Sequence, residues 1–283
     1  MKIRANFFIA FLLLFSAVQV KASEPVPYEM PQTYVVPVKN SQADRQYELY
    51  IRLPKDYSDT AETPYPVIYV TDGAWSMEML AGATKSLMPN AIVVGLSWQT
   101  DLGEDRPHLS RFRDYTLVPS TNPERQARYH FGQASHYLSF LRKDVISYVE
   151  SHYHADPSKR AFYGYSAGGE LGAYILLAQP DTFHHYILGS PSFDSRSIDY
   201  IAELDASIST RQSTTSTNVF VSIGELETRE IEYARRFVQI LNSRSSTGLK
   251  LTGLEIIENS DHGTASPETA IRGIKWLSHL TSE

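Results

Sequence analysis

Short apolar runs alternate with longer amphipathic segments along most of the 283-residue chain. Segments 33–38 and 46–53 read as strands, and the second alternates, with Tyr47, Leu49, Ile51 and Leu53 on one side. Segments 66–71 and 91–96 are continuous apolar runs, the pattern of strands covered on both faces. Strand patterns follow at 159–164, 186–189, 218–223 and 249–257. Between them, helical spacing marks 75–87, 133–153, 167–177, 228–241 and 267–280. In 228–241, for example, Ile231, Ala234, Phe237, Val238 and Leu241 share a face. Strand and helix in repeated alternation predict parallel strands joined by crossover helices. Two strands ahead of the first helix predict an antiparallel edge. The expected fold class is α/β, a mostly parallel central sheet with helices on both faces.

Segment 99–130 breaks this rhythm. It has little periodicity and holds Gly103, Pro107, Pro119 and Pro123, so it reads as a long loop or lid over the active site. Residues 106–130 carry Arg106, Arg111, Arg113, Arg125 and Arg128 against Asp114 and Glu124, a local net charge of +3.

The N-terminus follows different rules. Lys2 and Arg4 precede an apolar run at 7–18, and Val20-Lys21-Ala22 offers small residues for cleavage. Residues 1–22 therefore read as a secretory signal peptide, and 23–283 as one catalytic-size domain. The run is short for a bilayer span, so no stable membrane insertion is expected after cleavage. The expected location is periplasmic or secreted. Residues 1–22 carry three bases and no acid, which leaves 23 bases against 32 acids, a net charge of −9. That balance argues against a nucleic-acid partner. With no cysteine in the chain, thiolate zinc sites are excluded.

The candidate chemistry centres on Gly164-Tyr165-Ser166-Ala167-Gly168. It is a G-x-S-x-G sequence between a predicted strand and a predicted helix, the nucleophile-elbow pattern. A sharp turn there presents the serine hydroxyl, and the helix N-terminus behind it favours negative charge. Gly164, Gly168, Gly169, Gly172 and Ala173 leave little bulk around the turn. A nucleophilic serine needs a base and a group that orients the base. In this topology an acid and then a histidine follow later strands. Among nine histidines only His262 lies in the loop after the last strand, and it is the candidate base. Glu225 and Glu227 both follow the strand at 218–223. Glu227, three residues past Gly224, is the preferred acid and Glu225 the alternative. Asp261, adjacent to His262, reads as a residue that orders the loop.

Two backbone donors should hold an oxyanion, the N–H of Ala167 after the serine and that of Ala74 in the loop after the third strand. Gly73 would let the backbone approach closely there. Trp75 either walls an acyl pocket or packs in the core. Arg111 or Arg113 is a candidate contact for an anionic substrate; the alternative is that Arg113 braces the loop through Asp114 or another acid. The pair His152 and His154 is read as a helix end, not a metal site. No metal or organic cofactor is expected.

Four stretches carry a family resemblance: V-I-Y-V-T-D-G at 67–73, G-Y-S-A-G-G at 164–169, S-P-S-F at 190–193 and D-H-G-T at 261–264. Together they resemble the esterase D-like "putative esterase" branch of α/β-hydrolases, over nearly the whole chain after residue 22. R-F-R-D at 111–114 is similar to the ferric siderophore trilactone esterases within it. The resemblance implies an α/β-hydrolase fold and a small-molecule ester substrate, anionic in the siderophore subgroup. It implies Ser166 as nucleophile, a glutamate after Gly224 as acid, His262 as base, and Ala74 and Ala167 as oxyanion donors. Other members of the branch act on feruloyl or acetyl esters or transfer acyl groups. An α/β-hydrolase-fold binding protein without catalysis is the reading from a different class.

Overall fold

The computed structural model describes residues 27–208, 216–243 and 248–281. Two compact units divide the chain, Met1–Met30 and Pro31–Glu283. Residues 27–30 of the first have no regular secondary structure, and the signal peptide expected at 1–22 lies outside the described residues.

The second unit is built on one eight-stranded sheet. Its strands are β1 (Thr33–Asn40), β2 (Arg45–Arg52), β3 (Tyr65–Val70) and β4 (Ile92–Leu96), then β5 (Ala155–Tyr165), β6 (His185–Gly189), β7 (Thr217–Gly224) and β8 (Leu249–Ile257). Their spatial order is β1-β2-β4-β3-β5-β6-β7-β8. β1 pairs β2, and β2 pairs β4, antiparallel; all other pairs are parallel. The antiparallel edge and parallel body are those the alternation predicts. β4 is buried at every position and β3 at all but its first, as continuous apolar runs require, while β2 buries the alternating Tyr47, Leu49 and Ile51.

The helices are α1 (Gly73–Leu87), α2 (Arg106–Asp114), α3 (Pro123–Tyr129), α4 (Ala134–Phe140), α5 (Ser147–His152), α6 (Ala167–Ala178), α7 (Ser195–Ile208), α8 (Glu230–Asn242) and α9 (Ala265–Thr281). A π-helical turn, Leu141–Ile146, joins α4 to α5, so the expected helix at 133–153 is one continuous rod. Glycines show that helices cover both faces. A β-carbon on Gly172 of α6 would overlap Leu188 and Phe162, and one on Gly273 of α9 would fall 2.5 Å from Ile187. Ile187 and Leu188 are neighbours on β6 and so point to opposite faces; α6 and α9 therefore lie on opposite sides.

Segment 99–130 is not the structureless loop that its prolines suggest. It contains α2 and α3. Pro107 and Pro123 stand at the first positions of these helices, where the missing N–H is harmless and the fixed φ is already helical. Asn122 caps α3, its side chain accepting the Arg125 N–H. The same segment docks onto the sheet end. Tyr47 Oη, on β2, donates to Asp114 Oδ2 at 2.9 Å, and Thr100 N–H donates to Gln46 O of the same strand at 2.8 Å. The helix α7 was also not anticipated; Asp194 opens it by accepting the N–H groups of Arg196 and Ser197.

Glu170, on the first turn of α6, is 5% exposed. Burial, reinforced by Asp194, pushes its carboxyl pKa up to about 8, against hydrogen bonds from the Leu117 N–H and from Ser197. The group thus ties α6 to the chain after α2 and to α7, mainly in its protonated form at neutral pH.

Gly82, in α1, has open space where a β-carbon would sit, whereas Gly172 does not. Gly82→Ala should raise the urea midpoint by the equivalent of about 0.5–1 kcal/mol. Gly172→Ala gains the same helix propensity but overpacks a rigid core and should lower stability by about 1–3 kcal/mol. Glu170 has a folded pKa above its unfolded value, so its linked stability falls as pH rises from about 4.5 through about 8. Glu170→Gln should remove that fall. Urea titrations at pH 5 and pH 9 should show the variant gaining on the parent at pH 9, by on the order of a few kcal/mol.

Candidate active site

Strand β5 ends at Tyr165 and helix α6 begins at Ala167, so the whole turn is Ser166. Ser166 sits at φ 60°, ψ −123°, outside the comfortable regions for a residue with a β-carbon. Glycine makes that turn possible. A β-carbon on Gly164 would overlap the carbonyl of Gly168, and one on Gly168 would overlap the hydroxyl of Thr71. The backbone of Ser166 is then fixed on both sides. Its N–H donates to Gly189 O at 2.9 Å, and its C=O accepts from Glu170 N at 3.1 Å and Ser192 N at 3.2 Å.

The hydroxyl faces two partners. His262 Nε2 lies 3.0 Å from Ser166 Oγ, and Ser192 Oγ lies 2.8 Å from it. On the far side of the imidazole, His262 Nδ1 meets Glu227 Oε2 at 2.5 Å. The structure therefore brings Ser166, His262 and Glu227 into one hydrogen-bonded line from a strand-to-helix turn and two later loops. Such a line can take a proton from the hydroxyl at one end and stabilise the resulting imidazolium from the other.

The acid is buried and the imidazole is half-exposed, with side-chain exposures of 5% and 49%. Glu227 Oε1 accepts from Ser190 Oγ at 2.7 Å and from Gly224 N–H at 2.9 Å. Burial alone would raise the Glu227 pKa. The bonds from His262, Ser190 and Gly224 outweigh it and hold the carboxyl below its usual range. Glu225 does something else: its Oε2 accepts the Asn259 N–H at 2.7 Å, bracing the loop that carries His262. Asp261 orders the same loop, accepting from Gly263 N, Thr264 N and Thr264 Oγ1. Tyr165 Oη donates to His262 O at 2.6 Å, and the two rings lie 5.2 Å apart.

Ala74 and Ala167 are each within the first two residues of a helix. Neither N–H is donated to another group among the described residues. The turn before α1 abuts the turn before α6, since Thr71 is what a β-carbon on Gly168 would strike. Gly73 does permit a close approach, but of the helix to the sheet: its β-carbon would fall 2.9 Å from the Gly95 carbonyl carbon and the Tyr50 ring.

Trp75 is 58% exposed, so it is not a core residue. It meets Trp98 edge-on at 4.6 Å, and the Arg111 guanidinium stands 4.9 Å over its ring. Arg111 is held by Asp72, through Nε to Oδ1 at 2.8 Å and Nη2 to Oδ2 at 3.2 Å. Arg113 is placed differently from Arg111. It is 7% exposed and locked onto Asp114 through Nε at 2.7 Å and Nη2 at 2.8 Å, with Tyr47 Oη at 3.1 Å. This is the geometry of the bracing alternative: Nε and Nη2 are both taken by Asp114, and little of the side chain is open to solvent.

Sequence reasoning named S-P-S at 190–192 only as a resemblance. It missed that Ser190 holds the acid, that Ser192 touches Ser166, and that Tyr165 anchors the histidine loop. Contacts between loops that follow different strands leave no local pattern to read. Among the described residues, no group of three His, Cys, Asp or Glu side chains is gathered as metal ligands would be, and no helix is long and apolar enough to cross a membrane.

Similarity to known proteins extends over most of the chain. The ferri-bacillibactin esterase BesA of Bacillus subtilis is 26% identical over 272 residues, which cover 89% of this chain and 91% of that protein. The siderophore triacetylfusarinine C esterase of Aspergillus fumigatus is 24% identical over 238 residues, covering 80% and 79%. The crystal structure of the BES protein from Bacillus cereus shares the fold, with a TM-score of 0.78 at 21% identity, over 91% of this chain and 98% of that one. Residues 41–246, which include the elbow and the loop after β7, match the family described as "Putative esterase". The chain belongs to that esterase family and is a carboxylic ester hydrolase of the α/β-hydrolase fold.

Proposed function

We propose that this chain hydrolyses the ester bonds of a siderophore, through an acyl-enzyme on Ser166. The observation that carries the mechanism is the line from Ser166 Oγ through His262 to the buried Glu227, set at a strained elbow. His262 takes the Ser166 proton as the hydroxyl attacks the ester carbonyl. The open N–H groups of Ala74 and Ala167 receive the oxyanion, where preorganised donors are worth most. His262 then passes the proton to the leaving alcohol, and in the second half activates water to release the acid. Glu227 keeps the imidazole in the right tautomer and balances its charge when protonated. All steps use side chains and backbone of this chain, with no cofactor.

The substrate class rests on likeness to two siderophore esterases over most of the chain. The cationic segment is compatible with an anionic ligand, but most of its arginines are already paired: Arg111 with Asp72, Arg113 with Asp114 and Arg128 with Asp105. Arg125 lies over the rings of Phe112 and Phe131, at 5.9 and 5.3 Å, with no carboxylate partner among the described residues. The charge composition of residues 1–22 supports export, and hence work in the periplasm or outside the cell.

Ser166→Ala should abolish hydrolysis of a short p-nitrophenyl ester; retained hydrolysis would favour a hydrolase fold used only for binding. Glu227→Gln should lower kcat on the order of 10³–10⁴-fold, while Glu225→Gln should change it by no more than about twofold, because its amide oxygen can still accept the Asn259 N–H. A kcat/KM panel tests the substrate. Ferric and metal-free trilactone siderophores should exceed feruloyl esters, acetylated sugars and short aryl esters. A feruloyl or acetyl-sugar ester at the top would replace the substrate assignment and leave the mechanism standing. Esters formed from an added alcohol acceptor would mark the chain as an acyltransferase.

A further inference from the structure

The proposal here concerns Asp72, the residue immediately before α1, and it rests on the oxyanion role given above to the Ala74 N–H. Aspartate at the N-cap of a helix ordinarily turns its carboxylate inward and accepts an N–H of the second or third helical residue. In α1 those residues are Ala74 and Trp75. The Trp75 N–H is already taken by Asp72 O at 2.8 Å, as is the Ser76 N–H at 3.0 Å. The position open to a capping carboxylate is therefore the Ala74 N–H, the group the reaction needs.

Asp72 makes no cap bond to its own helix. Its backbone lies at φ 54°, ψ 47°, left-handed for a residue with a β-carbon. Its carboxylate is turned away and held by three donors. Arg111 Nε and Nη2 take both oxygens in a fork, and Trp98 Nε1 donates to Oδ1 at 2.7 Å. The carboxylate side chain is 6% exposed and the Arg111 side chain 13%. The Asp72 N–H is directed towards Tyr115 Oη at 3.4 Å.

We infer that Arg111 is a positioning residue for ester hydrolysis: with Trp98 it holds the Asp72 carboxylate off the N-terminus of α1, and so keeps the Ala74 N–H open for the oxyanion. The pairing acts in two ways. It prevents the carboxylate from capping the helix at Ala74. It also neutralises a fixed negative charge beside the place where a second one develops, which in a partly buried site would oppose the transition state. Arg111 thereby acts on turnover and not on the capture of substrate charge, although its sequence position alone suggested the latter.

The test is steady-state hydrolysis of a neutral p-nitrophenyl ester, with Ser166→Ala run alongside. Arg111→Ala should lower kcat by about 100-fold, the order of loss when one oxyanion donor is removed, with KM changed by no more than about threefold. Arg111→Lys keeps the charge but not the two-pronged hold, and should lose less, about tenfold, again in kcat. The decisive variant adds Asp72→Gly to Arg111→Ala. Glycine accepts the left-handed backbone and removes the carboxylate, so kcat should recover about tenfold over the single variant even though another contact has been deleted. A merely structural ion pair gives no such rescue. The inference is overturned if Arg111→Lys keeps full kcat and raises KM only for an anionic ester, or if the double variant is no faster than Arg111→Ala. Should Arg111→Ala fail to fold, the Arg111→Lys arm still decides between turnover and binding. Retained hydrolysis in Ser166→Ala would instead remove the mechanism beneath the inference, whatever Arg111 does.

Discussion

Everything at the site hangs on a serine turn that only flanking glycines allow. Strand β5 and helix α6 come so close at Ser166 that Gly164 and Gly168 have no room for β-carbons, and Gly172 meets Phe162 and Leu188 one helical turn later. A serine at φ 60°, ψ −123° costs on the order of 1–3 kcal/mol. The cost is offset because the fold fixes what lies on each side. β5 is central in the sheet, β6 supplies the Gly189 carbonyl for the Ser166 N–H, and every residue from Ala167 to Leu177 is buried. The strained residue cannot relax without moving a helix that is packed along its whole length. The hydroxyl is thus presented by the core itself, and the loops after the later strands have only to bring partners to it.

Those partners are sorted by the neighbouring strand ends. The loop after β6 serves both ends of the proposed relay, Ser190 donating to Glu227 and Ser192 meeting Ser166. The loop after β7 offers two glutamates of the same chemistry and gives them different work. Gly224 lies against Ser260 O and Glu227, with no space for a side chain, so the chain turns tightly there. Glu227 is drawn under the imidazole and Glu225 is left outside on the Asn259 N–H. Burial and hydrogen bonding pull on Glu227 in opposite directions, and hydrogen bonding prevails. A carboxylate that stays ionised while nearly excluded from water interacts strongly with a protonated imidazole beside it.

How legible each feature was in the sequence depended on how local its cause is. β3 and β4 could be read because both faces are covered and the runs at 66–71 and 91–96 are almost wholly apolar. The elbow could be read because strand, G-x-S-x-G and helix are consecutive. His262 was singled out by chain order alone. The helices α2 and α3 were hidden by Pro107 and Pro123, which look like breaks until their place at a helix start is known. Arg113 shows the other limit. Its neighbour in sequence, Asp114, is its partner in space, but the pair is buried by Tyr47 from β2, and no run of residues around 113 announces that contact. The excess of positive charge in 106–130 was real as composition. It became mostly internal pairing once the chain folded.

The same logic explains an oddity shared by the two helices that meet at the site. α1 and α6 are each preceded by a residue that ordinarily caps, Asp72 and Ser166, each at a positive φ, and neither side chain caps. Each helix forgoes about 1 kcal/mol that such a cap would supply. In α6 the hydroxyl is turned to His262 and Ser192; in α1 the carboxylate is turned to Arg111 and Trp98. In both, the partners that draw the side chain away from its first turn lie outside the helix it precedes. Two first turns are left with unclaimed N–H groups, side by side, with Thr71 of one against Gly168 of the other. On the mechanism proposed above, stability at each helix start is exchanged for donors aimed at a charge that exists only while the ester is being opened.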